Sequence, residues 1–253
     1  MVLDIITPAM GRPEILERTY KSFTEKLTGI EWGLCTCYIN IDLFPCFSDE
    51  LEKINALRVE CVDVAKKYFG TVVPNLPVYQ TNEMYHGHFT QAFNWLFKSA
   101  TTEHILCLED DWELLLPVDI NELLDRFKKV DTLYQVVLRA YTYKYPCVCM
   151  SPGILHKRFY KAIAGRYDTL RNPECQIHSR TDLPIFIPNK DNCKESEKYV
   201  MAYPQCVNDP RMVIVKDIGR AWMEKSPYCR PQTLPDNDPR YKKKNNYTHW
   251  IKK

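Results

Sequence analysis

The stretch HILCLEDDWELL, His104–Leu115, decides how this chain is read. Ile105, Leu106, Cys107 and Leu108 are four apolar residues without alternation, the pattern of a strand covered by helices on both faces. Glu109, Asp110 and Asp111 follow directly. In open α/β sheets the C-terminal ends of the strands are where ligands bind, and adjacent carboxylates repel unless something positive lies between them. A hard divalent cation is the simplest candidate. Acids after a strand can also cap the next helix, but Asp119 supplies that cap here.

On the N-terminal side of this stretch, Val2 to Thr7 reads as a first strand, and Gly11 to Leu27 as a helix with Pro13 at its first position and Ile15, Thr19, Phe23 and Leu27 on one face. LCTCYINIDLF (Leu34–Phe44) gives a second strand ending near Asp42. Asp49–Phe69 then carries a helical stripe of Leu51, Ile54, Leu57, Cys61, Ala65 and Tyr68. LPVYQT (Leu76–Thr81) reads as a short third strand, and Phe89, Ala92, Phe93, Leu96, Phe97 and Ala100 trace a helix that feeds the acidic strand. This alternation predicts a mostly parallel sheet with helices on both faces.

Past the acids, DINELLDRFKKV (Asp119–Val130) opens with Asp119 and Glu122 as a capping box and buries Ile120, Leu123, Leu124 and Phe127. YQVVLRAYTY (Tyr134–Tyr143) reads as a strand, and SPGILHKRFYKAIA (Ser151–Ala164) as a turn into a helix. Residues 166–210 are rich in Pro, Asn and Asp without clear periodicity, a length of irregular chain that usually serves function.

With 253 residues, 45% of them hydrophobic, the chain has material for one α/β domain over residues 1–230, with a division near residue 115. Residues 231–253 form a basic tail; its last segment, RYKKKNNYTHWIKK, has six basic residues and no acid. A formal net charge of +2 gives no overall pull toward nucleic acid. No apolar segment fits a signal peptide or a membrane span, so a soluble, cytoplasmic chain with reduced thiols is expected. Eleven cysteines without a C-x-x-C pair agree with that, and Cys35-x-Cys37 and Cys147-x-Cys149 have same-face strand spacing rather than zinc-ribbon spacing. The sequon at Asn246 carries no weight without secretion.

The order of ITPAMGRPE (Ile6–Glu14), the strand-end Asp42, HFTQAFNWLFKSATTEHILCLEDDW (His88–Trp112) and VIVKDIGRAW (Val213–Trp222) resembles the nucleotide-diphospho-sugar glycosyltransferases of the GT-A fold, especially the family-2-like group, over about residues 2–225. Gly87, Ala92 and Asn94 fit the run before that family's acidic motif, while Trp95 and Leu96 stand at its usual glycine position. The resemblance implies a Rossmann-like sheet and an Asp-x-Asp motif in the form Glu109-Asp110-Asp111. Asp111 would hold Mn²⁺ or Mg²⁺ against the donor's two phosphates, with Glu109 beside it, and Asp110 would meet the ribose. Such an ion stabilises the charge that a departing diphosphate develops.

The same resemblance places the nucleotide base on Thr7 and Pro8, phosphate on Arg12, and a base N–H on Asp42. It leaves His86, His88 and Asn94 near the diphosphate. Asp217 takes the place of a second metal ligand, with Lys216 or Arg220 neutralising phosphate. An inverting transfer needs a general base, and within RYDTLRNPECQIHSR (Arg166–Arg180) Glu174 is the first choice and Asp168 the second. The expected partners are a UDP- or GDP-sugar and a glycan or glycoprotein acceptor. Two other readings stay open: a nucleotidyltransferase that makes nucleotide sugars, disfavoured by the single glycine in TPAMGRPE, and a non-catalytic sugar-binding module.

Overall fold

The computed structural model describes residues 1–43, 51–78, 85–139, 148–169, 172–185, 187, 198–203, 213–225, 228–229 and 251–252. In chain order the first half comprises β1 (Asp4–Met10), α1 (Pro13–Lys26), β2 (Leu27–Thr28), β3 (Thr36–Asp42), α2 (Leu51–Lys66), β4 (Thr71–Asn75), α3 (Tyr85–Ser99) and β5 (His104–Cys107). Then come β6 (Trp112–Leu114), β7 (Val118–Asp119), α4 (Ile120–Lys129), β8 (Gln135–Val137), β9 (Gly153–His156), α5 (Lys157–Ile163) and α6 (Pro173–Ser179). The last elements are β10 (Val200–Ala202), β11 (Val215–Asp217), α7 (Gly219–Lys225) and a short ribbon of β12 (Tyr228–Cys229) with β13 (Ile251–Lys252).

Seven strands form one sheet in the order β10-β8-β9-β5-β1-β3-β4. All neighbours are parallel except β9, which runs antiparallel between β5 and β8. The sheet is therefore mostly parallel and flanked by helices, as the alternation predicts. Its two faces carry separate apolar layers. Ile5, Leu106 and Leu108 pack with Leu16, Tyr20 and Phe23 of α1. Ile6, Ile105 and Cys107 pack with Phe93 and Phe97 of α3 and Phe159 of α5. Residues 105–108 are all buried, so the unbroken apolar run is explained by helices on both sides.

Several expectations need correcting. The third strand is Thr71–Asn75 rather than LPVYQT. It pairs with β3 from Thr36↔Thr71 to Asn40↔Asn75, and Pro74 is tolerated because β4 lies at the sheet's edge. Val78 is exposed, and residues 79–81 lie outside the described residues. Among the described residues of Tyr134–Tyr143, Gln135–Val137 is strand, and residues 140–143 are not described. SPGILHKRFYKAIA holds a strand before its helix: Gly153–His156 is β9. A side chain at Gly153 would sit 2.4 Å from the Val136 carbonyl, so glycine lets β9 press against β8. At α4, Asp119 caps through its bond from the Asn121 amide. Glu122 accepts instead from the Tyr203 hydroxyl at 2.7 Å, so the reciprocal half of the capping box is replaced by a tertiary contact. The basic tail and its sequon lie outside the described residues, apart from Ile251 and Lys252.

Candidate active site at the acidic end of the sheet

From β1 the chain moves through α1 to β3 on one side, whereas from β5 it moves toward β9 and β8 on the other. The boundary between β1 and β5 is thus the switch point of the sheet, where α/β folds open a crevice beyond the strand ends. Arg12 sits just beyond β1 and Glu109–Asp111 just beyond β5, so the two sequence signals meet there.

The alternation of β5 continues into the acids and separates them. Leu108 faces α1, Glu109 turns to the opposite face, and Asp110 turns back. Asp110 is buried. It accepts from Arg12 Nη2 at 2.6 Å and Nε at 3.2 Å and from the Met10 amide at 3.0 Å, while the Thr19 hydroxyl of α1 donates to its carbonyl at 2.8 Å. Arg12 Nη2 also reaches Asp111 Oδ2 at 3.1 Å. The positive charge between the carboxylates is therefore Arg12, only 2% exposed, and not in the first place a metal ion. Burial lowers the guanidinium's affinity for its proton, but Asp110 and Asp111 outweigh this and keep it charged. Pro8 fits a central strand because residues 6 and 10 direct their backbone groups toward β5 and the acids, and the N–H that Pro8 lacks would face the same side where β5 ends.

Asp111 remains a quarter exposed. Burial and then Asp110 push its carboxyl up to about 6, Arg12 pulls it down and Asp217 raises it again. Burial also pushes Glu109 well above the usual carboxylate range, with the charges of Asp111, Glu174 and Asp110 adding to it against a bond from Trp112 Nε1 at 2.9 Å. Glu174, distant in sequence, thus comes within electrostatic reach of the acids. Asn172 caps α6 and Pro173 starts it, which sets Glu174 in the first turn, where its Oε1 accepts from the Met150 amide at 2.6 Å. Asp168 is engaged at α6. Its backbone pairs with the Gln176 side chain, and its charge acts on Arg180 at the far end of α6.

The segment VIVKDIGRAW reaches the site because β11 pairs antiparallel with β6, Asp217 opposite Trp112. Asp217 accepts from the Gly219 and Arg220 amides and pairs with Arg220 Nε at 3.0 Å, so it caps α7 and holds Arg220 in the same turn. A Cβ on Gly219 would lie 2.2 Å from Asp111 Oδ2, which makes glycine the residue that lets α7 close against Asp111. Trp222 of α7 covers the Arg12 guanidinium at 5.2 Å and donates to Glu14 at 3.1 Å.

The remaining residues expected at the site fall in different places. Thr7 is fully buried beside Tyr20 and Cys37, pointing into the core rather than the crevice. Pro8 is likewise interior. Asp42 ends β3 opposite Met10, where it accepts from Asn40 at 2.8 Å. Asn94 exchanges bonds with the Tyr167 backbone and so ties α3 to the segment before α6. Burial holds the His88 imidazole down at about 4. The side chain of His86 lies outside the described residues.

Sequence reasoning assigns no site role to Trp112, Trp222 or Arg139. Arg139, just past β8, lies 5.9 Å over the Trp112 ring and donates to the Ser151 hydroxyl. The tryptophan directly after the acids is the available signal for that pair.

The three-carboxylate metal set of Glu109, Asp111 and Asp217 is not preassembled. Among the described residues the cluster whose donor atoms lie within 4.8 Å of one another is Glu103, His104 and His156, at the other end of β5. Glu109 and Asp217 are committed to Trp112 and to the start of α7. Asp111 bonds Arg12 through Oδ2, and Glu109 bonds Trp112 through Oε2, so each engages one oxygen in these bonds, whereas both oxygens of Asp217 are engaged.

No protein family and no curated protein matches this sequence. Among solved structures, a mannosyltransferase from Pyrobaculum calidifontis in complex with GDP-Man and Mn²⁺ is similar at 10% identity and a TM-score of 0.45, covering 79% of this chain and 56% of that one. TarS from S. aureus is similar at 10% identity and a TM-score of 0.44, covering 81% and 37%. A TarS fragment in complex with UDP-GlcNAc gives 12% identity and 0.34, covering 59% and 37%. The chain spans little more than half the length of the first of these structures and under two fifths of the others. At such identities and scores the likeness carries no functional weight.

Proposed function

We propose that the chain is a glycosyltransferase that moves a sugar from a nucleoside-diphosphate donor, a UDP- or GDP-sugar, to a hydroxyl of a glycan or glycoprotein, with inversion at the anomeric carbon. The observation that carries this reading is the gathering of Glu109, Asp111 and Glu174, beside the Arg12–Asp110 pair, at the switch point of the sheet. In this reading Glu174 takes the proton of the acceptor hydroxyl as that oxygen attacks the sugar. Asp42, at the neighbouring strand end, faces the base. Arg139 supplies positive charge toward the diphosphate, a role Arg12 is too buried and too committed to perform. The residues fit a divalent ion held by Asp111 and the donor's own phosphates, the manner in which Mg²⁺ is commonly bound, and not a cage of three protein carboxylates. When bound, Mn²⁺ or Mg²⁺ supplies charge stabilisation to the leaving diphosphate.

The test is hydrolysis and transfer with UDP-, GDP- and TDP-sugars in the presence of Mn²⁺, beside calorimetry with the matching diphosphates. Asp111→Asn is expected to remove metal-dependent donor binding. Glu174→Gln is expected to lower turnover about 10²-fold or more with donor affinity nearly unchanged. Normal turnover in the Glu174 variant, or a product of retained configuration, overturns its role as base. Donor binding without turnover in the wild type favours the sugar-binding module instead.

A further inference from the structure

We infer that Glu103, His104 and His156 form a site for a borderline divalent transition ion, Zn²⁺ in the first instance, at the end of β5 opposite the acidic residues. His104 opens β5 and His156 closes β9, and the antiparallel register sets them directly opposite each other. The His156 amide donates to Tyr134 on the β8 side, while the flanking Lys157 amide bonds Glu103. The two histidines are therefore a non-hydrogen-bonded pair, the class whose side chains approach most closely, with Cα atoms ~4.5 Å apart. Their rings lie 4.9 Å apart at 86°, and Phe127 of α4 packs against His104 at 4.8 Å.

Two observations point to a ligand. One donor atom from each of the three residues falls within 4.8 Å of the others, with His156 Nε2 and Glu103 Oε1 3.7 Å apart. His104 Nε2 is buried without a hydrogen-bond partner, a state that folded proteins rarely leave uncompensated. Two imidazole nitrogens and one carboxylate oxygen are a Zn²⁺ ligand set with one position left open, and imidazole disfavours Mg²⁺ and Ca²⁺. Glu103, His104 and His156 themselves line a cavity of about 690 Å³, together with Phe127, Lys128 and Arg158.

Binding has an identifiable local cost. His156 Nδ1 now accepts from the Arg158 amide and caps α5. Ligation through Nε2 puts the ring proton on Nδ1, so the ring must release that amide. The positive charges of Lys128 and Arg158 also oppose a cation, while Glu103 and Asp131 offset them.

The experiment titrates the untagged, EDTA-stripped full chain with Zn²⁺ and Co²⁺. One equivalent of Zn²⁺ is expected to bind, with Mg²⁺ unable to displace it. Glu103→Gln, at an exposed side chain that cannot be blamed for misfolding, should weaken binding about tenfold, and His156→Ala by at least 10²-fold. Asp111→Asn should leave the affinity unchanged, which separates this site from the proposed donor site. Loading should speed hydrogen exchange at the Arg158 amide. Unchanged affinity in both the Glu103 and His156 variants, loss of binding in Asp111→Asn, or a Co²⁺ spectrum dominated by thiolate charge transfer overturns the assignment.

Discussion

Among single residues, Arg12 is the side chain on which the site depends. It is buried, it holds Asp110 in a two-toothed pair, and removing it leaves Asp110 in the interior without its counter-charge. Arg12→Ala is expected to cost about 3–5 kcal/mol of stability, measured by urea unfolding, because a broken buried pair strands its partner. Arg12→Lys keeps the charge but loses the fork, so an intermediate loss is expected. A loss below about 1 kcal/mol for Arg12→Ala would be that of a surface pair and would refute a buried role for the arginine. His88 supplies a pH-dependent case. Its folded pKa of about 4 lies below the ordinary 6.5, so between these values the unfolded chain binds a proton that the folded chain does not. The contribution of His88 is therefore complete above about 6.5 and is lost as the pH falls toward 4. His88→Gln should narrow the stability gap between pH 7 and pH 4.5, and an unchanged gap would place the titrating group elsewhere.

Among the helices and strands, α7 is the piece most finely fitted to the site. Its first residue, Gly219, has no room for a methyl group against Asp111, while Trp222 one turn later lies on Arg12. Gly219→Ala should push α7 off the acids, with a destabilisation of about 1–3 kcal/mol and a red shift of tryptophan emission as Trp222 leaves Arg12. Wild-type stability and emission in that variant would show that α7 does not close on Asp111 in solution. The elements differ in how legible they are in the sequence. Helix α1 can be read because Pro13 fixes its start and Ile15, Thr19 and Phe23 repeat at helical spacing on its buried face. Strand β9 cannot, because Gly153–His156 is four residues long and runs straight into α5, with no turn residue to separate the two. Strand β4 lies a few residues before the segment that the sequence suggests, because two prolines, Pro74 and Pro77, give no basis in sequence for deciding which segment pairs with β3.

For the molecule as a whole, the mostly parallel sheet follows from the alternation of elements, but its order does not. The antiparallel insertion of β9 between β5 and β8 depends on tertiary pairing, and so does the arrival of Glu174 and Asp217 beside the acids. The acidic run announces a site. What balances it is hidden, because the sequence points Arg12 toward a phosphate, and its pairing with Asp110 emerges only when β1 and β5 are placed side by side. The sheet order makes its own prediction for hydrogen exchange. Amides of β1 and β3, enclosed by neighbours and by helices, should exchange slowest, whereas the edge strands β4 and β10 should exchange by local opening. Protection in β4 equal to that in β1 would contradict a sheet in which β4 is an edge and β1 is central.

The Arg12–Asp110 pair joins residues 98 positions apart, and this imposes a sequence of events on the chain as it folds. The first βα unit can close early from local contacts, yet its arginine must remain hydrated until β5 docks beside β1. Loop-closure entropy makes such a distant contact a late one. Before docking, the three carboxylates repel one another in water with nothing to offset them. The crevice is consequently assembled in the same step that completes the centre of the sheet, and a nascent chain truncated before Asp110 holds neither half of it in working form.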